Sequence, residues 1–199
     1  MIELLAALSA SAAAGMRIAL PLLVIGLLRI DSLWASVPLL SQINPSVLLG
    51  ILTTWSVFEL FASKRLLGQR VLQVIQLLLS PLVGAIMGIA VARFADTPTA
   101  LIWIVGIIGG LLALVLQLVQ VGWFFRLRGL PLWVVFVQDV LCVALVILAF
   151  DAPQQGGIVA LLLLWLAIRS SKQWHEWYTE KNRTKKRRFR RHIPDERTK

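Results

Sequence analysis

Residues 71–92 read VLQVIQLLLSPLVGAIMGIAVA and contain no charged side chain. A helix of that length rises about 33 Å, which matches a bilayer hydrocarbon core of about 30 Å. Polar and small residues in and beside this stretch recur every three or four positions, the period of one helix face. They are Gln69, Gln73, Gln76, Ser80, Gly84 and Gly88. The stretch therefore predicts a membrane-spanning helix whose polar face points into a bundle and away from lipid.

Five further apolar stretches flank this one, at about residues 3–29, 46–63, 100–124, 131–150 and 156–173. The hydrophobic fraction of the chain is 58% and its mean hydropathy is +0.81, both above what an ordinary soluble domain needs. Lipid offers the backbone no hydrogen-bond partner, and the stretches lack the alternation of barrel strands. We predict an all-α polytopic membrane bundle of about six transmembrane helices over residues 1–173.

A basic cytoplasmic tail, partly helical and then disordered, is predicted at 174–199.

Lys and Arg are distributed unevenly among the predicted connections. The second and fourth connections hold three and two, whereas the first, third and fifth hold one, one and none. Cytoplasmic connections carry the excess of basic residues, so both termini are predicted to face the cytoplasm. Tryptophan favours the headgroup level, and all but Trp55 and Trp165 fall at the predicted interfaces.

The basic residues are concentrated in the last part of the sequence. Of 20 Lys and Arg residues, 12 lie within residues 169–199, a segment of net charge +8. Each basic residue near anionic lipid contributes about 1 kcal/mol, so we expect contact with lipid headgroups rather than nucleic acid, for which a charge run alone is insufficient. The predicted lipid contacts are Lys185, Lys186, Arg187, Arg188, Arg190 and Arg191.

Three ionisable residues fall at membrane depth: Arg17, Glu59 and Asp139. Burying one at a helix centre costs about 2.5–3.5 kcal/mol, so each needs a partner or water. Counted from the cytoplasmic ends, both acids fall in the inner half, and the Arg17 side chain tilts back toward them. We predict a cluster of Arg17 with Glu59 or Asp139. It is either a site for a substrate or ion, or a buried pair that fixes helix register.

Further polar residues extend this predicted site. Their amides either line a wet cavity or hydrogen-bond neighbouring helices, and the second use is the more common. The additional candidates for substrate or ion binding are Lys64, Gln73, Gln76, Gln117 and Gln120.

Small residues indicate close helix packing. Gly84 with Gly88, and Gly106 with Gly110, have the spacing that lets two helix backbones approach, and we expect packing within the chain rather than dimerisation.

Residues 3–29 are predicted as a membrane helix rather than a cleaved signal peptide, because the only charge ahead of the apolar run is acidic. The small residues at 9–15 favour an unwound turn near Arg17. Residues 31–45 are mixed in character and fit either an interfacial or a re-entrant segment.

Catalytic and metal signatures are missing from the sequence. Its single cysteine, Cys142, excludes an intrachain disulfide, and neither histidine has the partners of a zinc site. No phosphate-binding loop or nucleophile elbow occurs. We therefore expect neither an enzyme, nor a metal site, nor a cofactor.

Three sequence blocks resemble the bacterial membrane family called domain of unknown function 4126. The blocks are SASAAAGMRIALPLL at 9–23, ELFASK at 59–64 and QLLLSPLVGAIMG at 76–88. The family typically shows a small-residue run with Gly-Leu-Arg and Leu-Pro, a Glu-Leu-Leu-Ala-Asp-Lys block and an Arg-Pro-x-x-Gly-Ala segment. The resemblance implies a membrane helical bundle and no particular activity. Its characteristic positions here would be Arg17, Pro21, Glu59, Lys64, Pro81, Gly84 and Asp139.

The chain departs from the family pattern at three points. Ser63 replaces an Asp, Ser80 replaces an Arg, and Gln117 or Gln120 stands where a His is expected. If those groups carry chemistry in relatives, this chain has altered or lost it.

Two functions fit these expectations. The first is transport or permeation of a small ion or polar solute through the charged site. The second is an accessory or assembly subunit of a larger membrane complex, with the tail and the aromatic inner rim as contacts. In either case we expect a multi-pass protein of a bacterial inner or thylakoid-type membrane.

Overall fold

The computed structural model describes residues 2–28, 44–62, 66–95, 97–127 and 132–171. Every regular element in these ranges is an α-helix, as predicted. The helices are α1 (Ile2–Met16), α2 (Ala19–Leu28), α3 (Pro45–Ala62), α4 (Leu66–Phe94), α5 (Thr99–Leu127), α6 (Leu132–Asp151) and α7 (153–171). The predicted tail and the predicted interfacial or re-entrant segment, apart from its last two residues, lie outside the described residues.

Three helices in the described ranges are long and apolar enough to cross a membrane. They are Arg70–Phe94, Thr99–Phe124 and Trp133–Asp151, with mean hydropathies of 2.2, 2.6 and 2.5. Two more helices are apolar but shorter, Ile2–Met16 and Ser46–Glu59. The apolar stretch at 71–92 thus lies within the first of the three long helices.

The first predicted helix is interrupted rather than continuous. α1 ends at Met16, Arg17 and Ile18 are not helical, and α2 begins at Ala19. Pro21 explains the position of the break, because a proline ring clashes with the carbonyl four residues earlier, here that of Arg17, and leaves it without a helical N–H donor. The unwound turn expected near Arg17 is confirmed, while the small residues at 9–15 are themselves helical and buried. The break follows the small-residue run.

The connection between the last two predicted stretches, at 131–150 and 156–173, is shorter than those bounds indicate. Only Ala152 separates α6 from α7, and Pro153 takes the first helical position, where its missing N–H costs nothing. Gly156 and Gly157 lie inside α7. A Cβ on Gly156 would come within 3.0 Å of the Ser9 side chain, and one on Gly157 within 2.9 Å of the Leu5 backbone. These glycines serve close packing of α7 on α1.

α1 is the central element of the bundle. It packs against α4, α5 and α6, and its residues from Ser9 to Met16 are all buried. α4 and α5 make the most extensive helix contact, while α2 packs against α3 and α6. Alanine, serine and glycine on α1 leave room for three neighbouring helices, because small side chains let backbones approach closely.

Charged side chains are buried and many large apolar side chains are exposed, which is unusual for a soluble protein. Arg17 and Glu59 are 7% and 3% exposed, whereas Leu78 and Trp133 are 72% and 69% exposed. Large apolar side chains are exposed on the outer faces of all seven described helices. A soluble monomer rarely presents apolar surface on this scale, and lipid accepts it without cost.

Candidate functional site

The break between α1 and α2 places a charged side chain in the protein interior. Arg17 Nε donates to Asp139 Oδ1 on α6 at 2.7 Å, and the two side chains are 8% and 21% exposed. A charge buried to this degree is tolerated when it is paired and hydrogen-bonded. Of the two acids offered by the sequence, Asp139 is the one that forms the ion pair.

α6 also donates to two carbonyl groups near the end of α1, of which that of Ala13 accepts the Arg17 N–H as well. Gln138 Nε2 donates to the Met16 carbonyl oxygen at 2.8 Å, and Cys142 Sγ lies 3.4 Å from the Ala13 carbonyl oxygen. Gln138 Nε2 also donates to Gln120 Oε1 on α5 at 2.8 Å. One turn of α6 therefore forms hydrogen bonds both to the break between α1 and α2 and to Gln120 on α5.

Glu59 is the end of a directed hydrogen-bond chain. Gln117 Nε2 lies 3.4 Å from Gln76 Oε1, and Gln76 Nε2 lies 3.2 Å from Glu59 Oε1. Because a carboxylate only accepts, it fixes which way the Gln76 amide faces, and Gln76 in turn orients Gln117. Trp55 Nε1 donates to the same Glu59 oxygen at 3.0 Å. The chain joins α3, α4 and α5.

Glu59, at the end of this hydrogen-bond chain, also interacts electrostatically with the Arg17–Asp139 ion pair. Arg17 attracts the Glu59 carboxylate and Asp139 repels it, so all three ionisable groups act on one another inside the bundle. One guanidinium faces two carboxylates, which leaves one negative charge in excess when both acids are ionised. The predicted cluster is thus brought together, with Asp139 in contact with Arg17 and Glu59 held by neutral donors.

Three buried side-chain oxygens on α3 and α4 have no hydrogen-bond partner among the described residues: Ser56 Oγ, Gln73 Oε1 and Ser80 Oγ. Ser80 is fully buried and Gln73 is 9% exposed. Buried polar atoms are normally satisfied, because leaving one without a partner costs about 1–3 kcal/mol.

A cavity of about 200 Å³ lies beside the break, between α5, α6 and α7. Gln120 and Gln138 supply amide groups to its wall, and Met16 at the end of α1 closes one side. On the opposite side Trp123 Nε1 donates to Ser170 Oγ at 2.7 Å. The cavity adjoins the ion pair through Gln138, the neighbour of Asp139.

The predicted packing glycines lie at the α4–α5 contact within one chain. A Cβ on Gly84 would come within 2.9 Å of the Gly109 carbonyl oxygen, and one on Gly110 within 2.7 Å of the Pro81 carbonyl oxygen. Gly88 and Gly106 face the same contact, near Val105 and Ile89 respectively. Because these positions lack a Cβ, the backbones of α4 and α5 can come into direct contact.

Some predicted residues lie outside the part of the chain that the structure describes. They are Lys64 and the tail residues Lys185, Lys186, Arg187, Arg188, Arg190 and Arg191. Their roles stay predictions.

Sequence reasoning missed several polar contacts. Ser9 Oγ donates to the Leu145 carbonyl oxygen at 2.7 Å, and Ser11 Oγ donates to that of Gly84 at 3.0 Å. Trp55, which did not fit the aromatic belt, is a partner of Glu59. Its position one helical turn before Glu59 was the available signal, since residues four apart share a helix face.

These features define an all-helical protein with an apolar exterior and a charged, hydrogen-bonded interior. The chain belongs to the family described as Domain of unknown function (DUF4126), whose model matches residues 4–173. No curated protein and no solved structure matches the chain.

Proposed function

We propose that this chain is a multi-pass membrane protein that moves a small ion or polar solute through the site formed by Arg17, Glu59 and Asp139. The observation that carries the proposal is the interruption of the first helix at Arg17, with the guanidinium paired to Asp139 at 2.7 Å. Discontinuous helices that present half-helix ends to a charged interior site are a recurring feature of secondary transporters.

The proposed topology has six crossings with both termini in the cytoplasm. In it, α1 and α2 form one crossing in two halves, and α3 to α7 form the other five. The asymmetric distribution of Lys and Arg supports this orientation. The apolar faces of the described helices support a lipid surround. We propose a bacterial inner or thylakoid-type membrane as its location.

The polar interior supports a translocation role over a purely structural one. A register-fixing pair needs only two opposite charges, whereas Glu59 is a second buried carboxylate with its own donors from Trp55 and Gln76. A second buried carboxyl group and unpartnered oxygens are costly in a static core. They fit a site that receives a solute with a complementary charge or hydrogen-bonding group.

Flux through proteoliposomes tests the proposal. Purified protein is reconstituted, and uptake of Na⁺, K⁺, H⁺ and glycerol is compared with that of protein-free vesicles, with a pathway for compensating charge provided. We expect protein-dependent uptake of at least one solute and its loss in Glu59→Gln. Thr53→Ala is the matched control, because the Thr53 hydroxyl is on the same helix but exposed and bonded to its own backbone.

Two outcomes would contradict transport through this site. One is uptake equal to that of empty vesicles for every solute, accompanied by co-purification with a stable membrane partner, which would favour the subunit role. The other is equal uptake by wild type and Glu59→Gln.

A further inference from the structure

We propose that the cavity of about 200 Å³ between α5, α6 and α7 binds a small neutral solute that carries both a hydrogen-bond donor and an acceptor. This inference deepens the proposed function and rests on it for passage of the solute, although binding itself is measurable without transport. It selects a neutral solute over an ion and adds Gln138 to the residues that bind it.

Two glutamine side chains in the cavity wall are held in a fixed orientation. Gln138 Nε2 donates to the Met16 carbonyl oxygen and to Gln120 Oε1, both at 2.8 Å. A backbone carbonyl group only accepts, so it determines which way the Gln138 amide faces, and Gln138 in turn orients Gln120. Both amide hydrogens of Gln138 are engaged in these bonds, so the group it can offer a ligand is its carbonyl oxygen. Gln120 accepts through its own carbonyl oxygen and can offer its N–H groups.

Most of the remaining wall is apolar and leaves room for a small molecule. Leu116 on α5 and Leu163 and Leu166 on α7 are among the residues that line it, and ligand sites commonly combine such a wall with a few placed polar groups. A water molecule occupies about 30 Å³ in the liquid, so the cavity has the volume of about six waters. A lipid acyl chain would suit the apolar wall, but it would leave the two amides without hydrogen bonds to it, which is costly.

The charge of the surroundings favours a neutral solute. No ionisable side chain among the described residues lines the cavity. The adjoining pair of Arg17 and Asp139 joins one positive and one negative charge at 2.7 Å, so it attracts neither a cation nor an anion in particular. An ion would exchange its water for apolar side chains and neutral amides. A neutral solute loses far less, because hydrogen bonds to Gln120 and Gln138 replace those to water.

The cavity adjoins both the protein surface and the charged site. Trp123 and Ser170 line it, Trp123 is 50% exposed, and the 2.7 Å hydrogen bond between the two side chains is itself exposed. Gln138, which also lines the cavity, directly precedes Asp139 in α6. A solute that enters beside Trp123 and Ser170 can therefore reach the ion pair through this cavity.

Protection of an introduced thiol measures binding directly. Ala167 lines the cavity and is 4% exposed, so Ala167→Cys places a thiol in its wall. Purified full-length protein in detergent is treated with methyl methanethiosulfonate, a small neutral thiol reagent, and modification is followed by mass spectrometry. We expect the introduced thiol to react, and glycerol, the probe solute, to slow the reaction with a saturating dependence on concentration. Sucrose, which is too large for the cavity, should not protect at equal viscosity.

A matched pair of variants then locates the site. Gln120→Met keeps the length of the side chain and removes its amide. In Ala167→Cys/Gln120→Met we expect the glycerol concentration for half protection to rise about threefold to tenfold, as the loss of one hydrogen bond predicts. Gln154 is exposed on α7, and Ala167→Cys/Gln154→Met should keep the original concentration. Cys142 is fully buried, so its lack of modification verifies that each variant is folded.

The outcomes separate this inference from the proposed function. Equal protection by sucrose, equal half-protection concentrations in the two double variants, or no reaction of the introduced thiol in the folded protein would overturn the solute site. Protein-dependent uptake of Na⁺, K⁺ or H⁺ without uptake of glycerol would overturn it while leaving transport intact. Specific protection by glycerol without flux would support the solute site and contradict the transport proposal.

Discussion

Arg17 and Asp139 lie 122 positions apart in the sequence and form an ion pair with a 2.7 Å separation between Nε and Oδ1. The pair ties the break in the first helix to α6, and Gln138 beside it bonds the last carbonyl group of α1. The helix interruption and the buried charge thus coincide, because Arg17 lies at the break. The predictions below follow from that arrangement.

Asp139→Asn should destabilise the protein strongly, because it leaves the Arg17 guanidinium buried without a counter-charge. Removing one partner of a buried pair costs about 3–5 kcal/mol, whereas replacing both with apolar residues is often neutral. We therefore expect a clear fall in Tm for Asp139→Asn and recovery of most of it in Arg17→Leu/Asp139→Leu. Thermal unfolding in detergent, followed by labelling of Cys142, measures both. A wild-type Tm for Asp139→Asn would contradict the pair's burial.

Pro21→Ala should weaken transport while the protein stays folded. Alanine supplies the missing N–H and removes the ring that clashes with the Arg17 carbonyl, so α1 and α2 can join and turn the Arg17 side chain away from Asp139. We expect flux to fall about tenfold, which corresponds to about 1.4 kcal/mol. Pro81→Ala is the control, since α4 runs through Pro81 without interruption. Equal flux in Pro21→Ala and wild type would show that the break is dispensable.

Gly110→Ala should destabilise the α4–α5 contact, because its Cβ would come within 2.7 Å of the Pro81 carbonyl oxygen. Overpacking against backbone costs about 1–3 kcal/mol. Gly122 lies on the same helix with no atom within 4 Å of its Cβ position, and Gly122→Ala should be neutral or stabilising by up to about 1 kcal/mol. Unfolding of both variants in parallel gives the comparison. Equal Tm values would contradict the close helix approach.

Leu78→Arg tests whether the apolar exterior faces lipid. Leu78 is 72% exposed in the middle of a long apolar helix, and an Arg near the bilayer centre costs about 2.5–3.5 kcal/mol. We expect a reduced membrane-inserted fraction after carbonate extraction, with Leu78→Ala as the control. An exposed leucine on a soluble protein would tolerate Arg, so normal yield of a detergent-free soluble variant would contradict the membrane account.

Local features of the fold could be predicted from the sequence because they depend on short-range rules. The stretch 71–92 indicated a long helix, and α4 extends it by a few residues at each end. Helical spacing also predicted that Gln73, Gln76 and Ser80 share a face, and all three are buried. Pro21 determines where the first helix breaks, and the break at Arg17 and Ile18 lies where an unwound turn was expected, directly after the small-residue run.

Contacts between residues on different helices could not be predicted from one sequence. Arg17 had two possible acidic partners, and only the packing of α6 against α1 brings Asp139 to it. Gly156 and Gly157 begin the last predicted stretch, but their close contacts with Ser9 and Leu5 of α1 could not be predicted from it. The partners of Glu59 likewise depend on how α3 meets α4.

The most direct test of the account is flux through proteoliposomes that contain Arg17→Leu/Asp139→Leu. This variant replaces the ion pair with apolar side chains, so it separates a translocation site from a pair that only fixes helix register. We predict a protein with nearly wild-type Tm and with uptake no greater than that of empty vesicles. Uptake at the wild-type rate would contradict the claim that the charged pair at the helix break is part of the transport path.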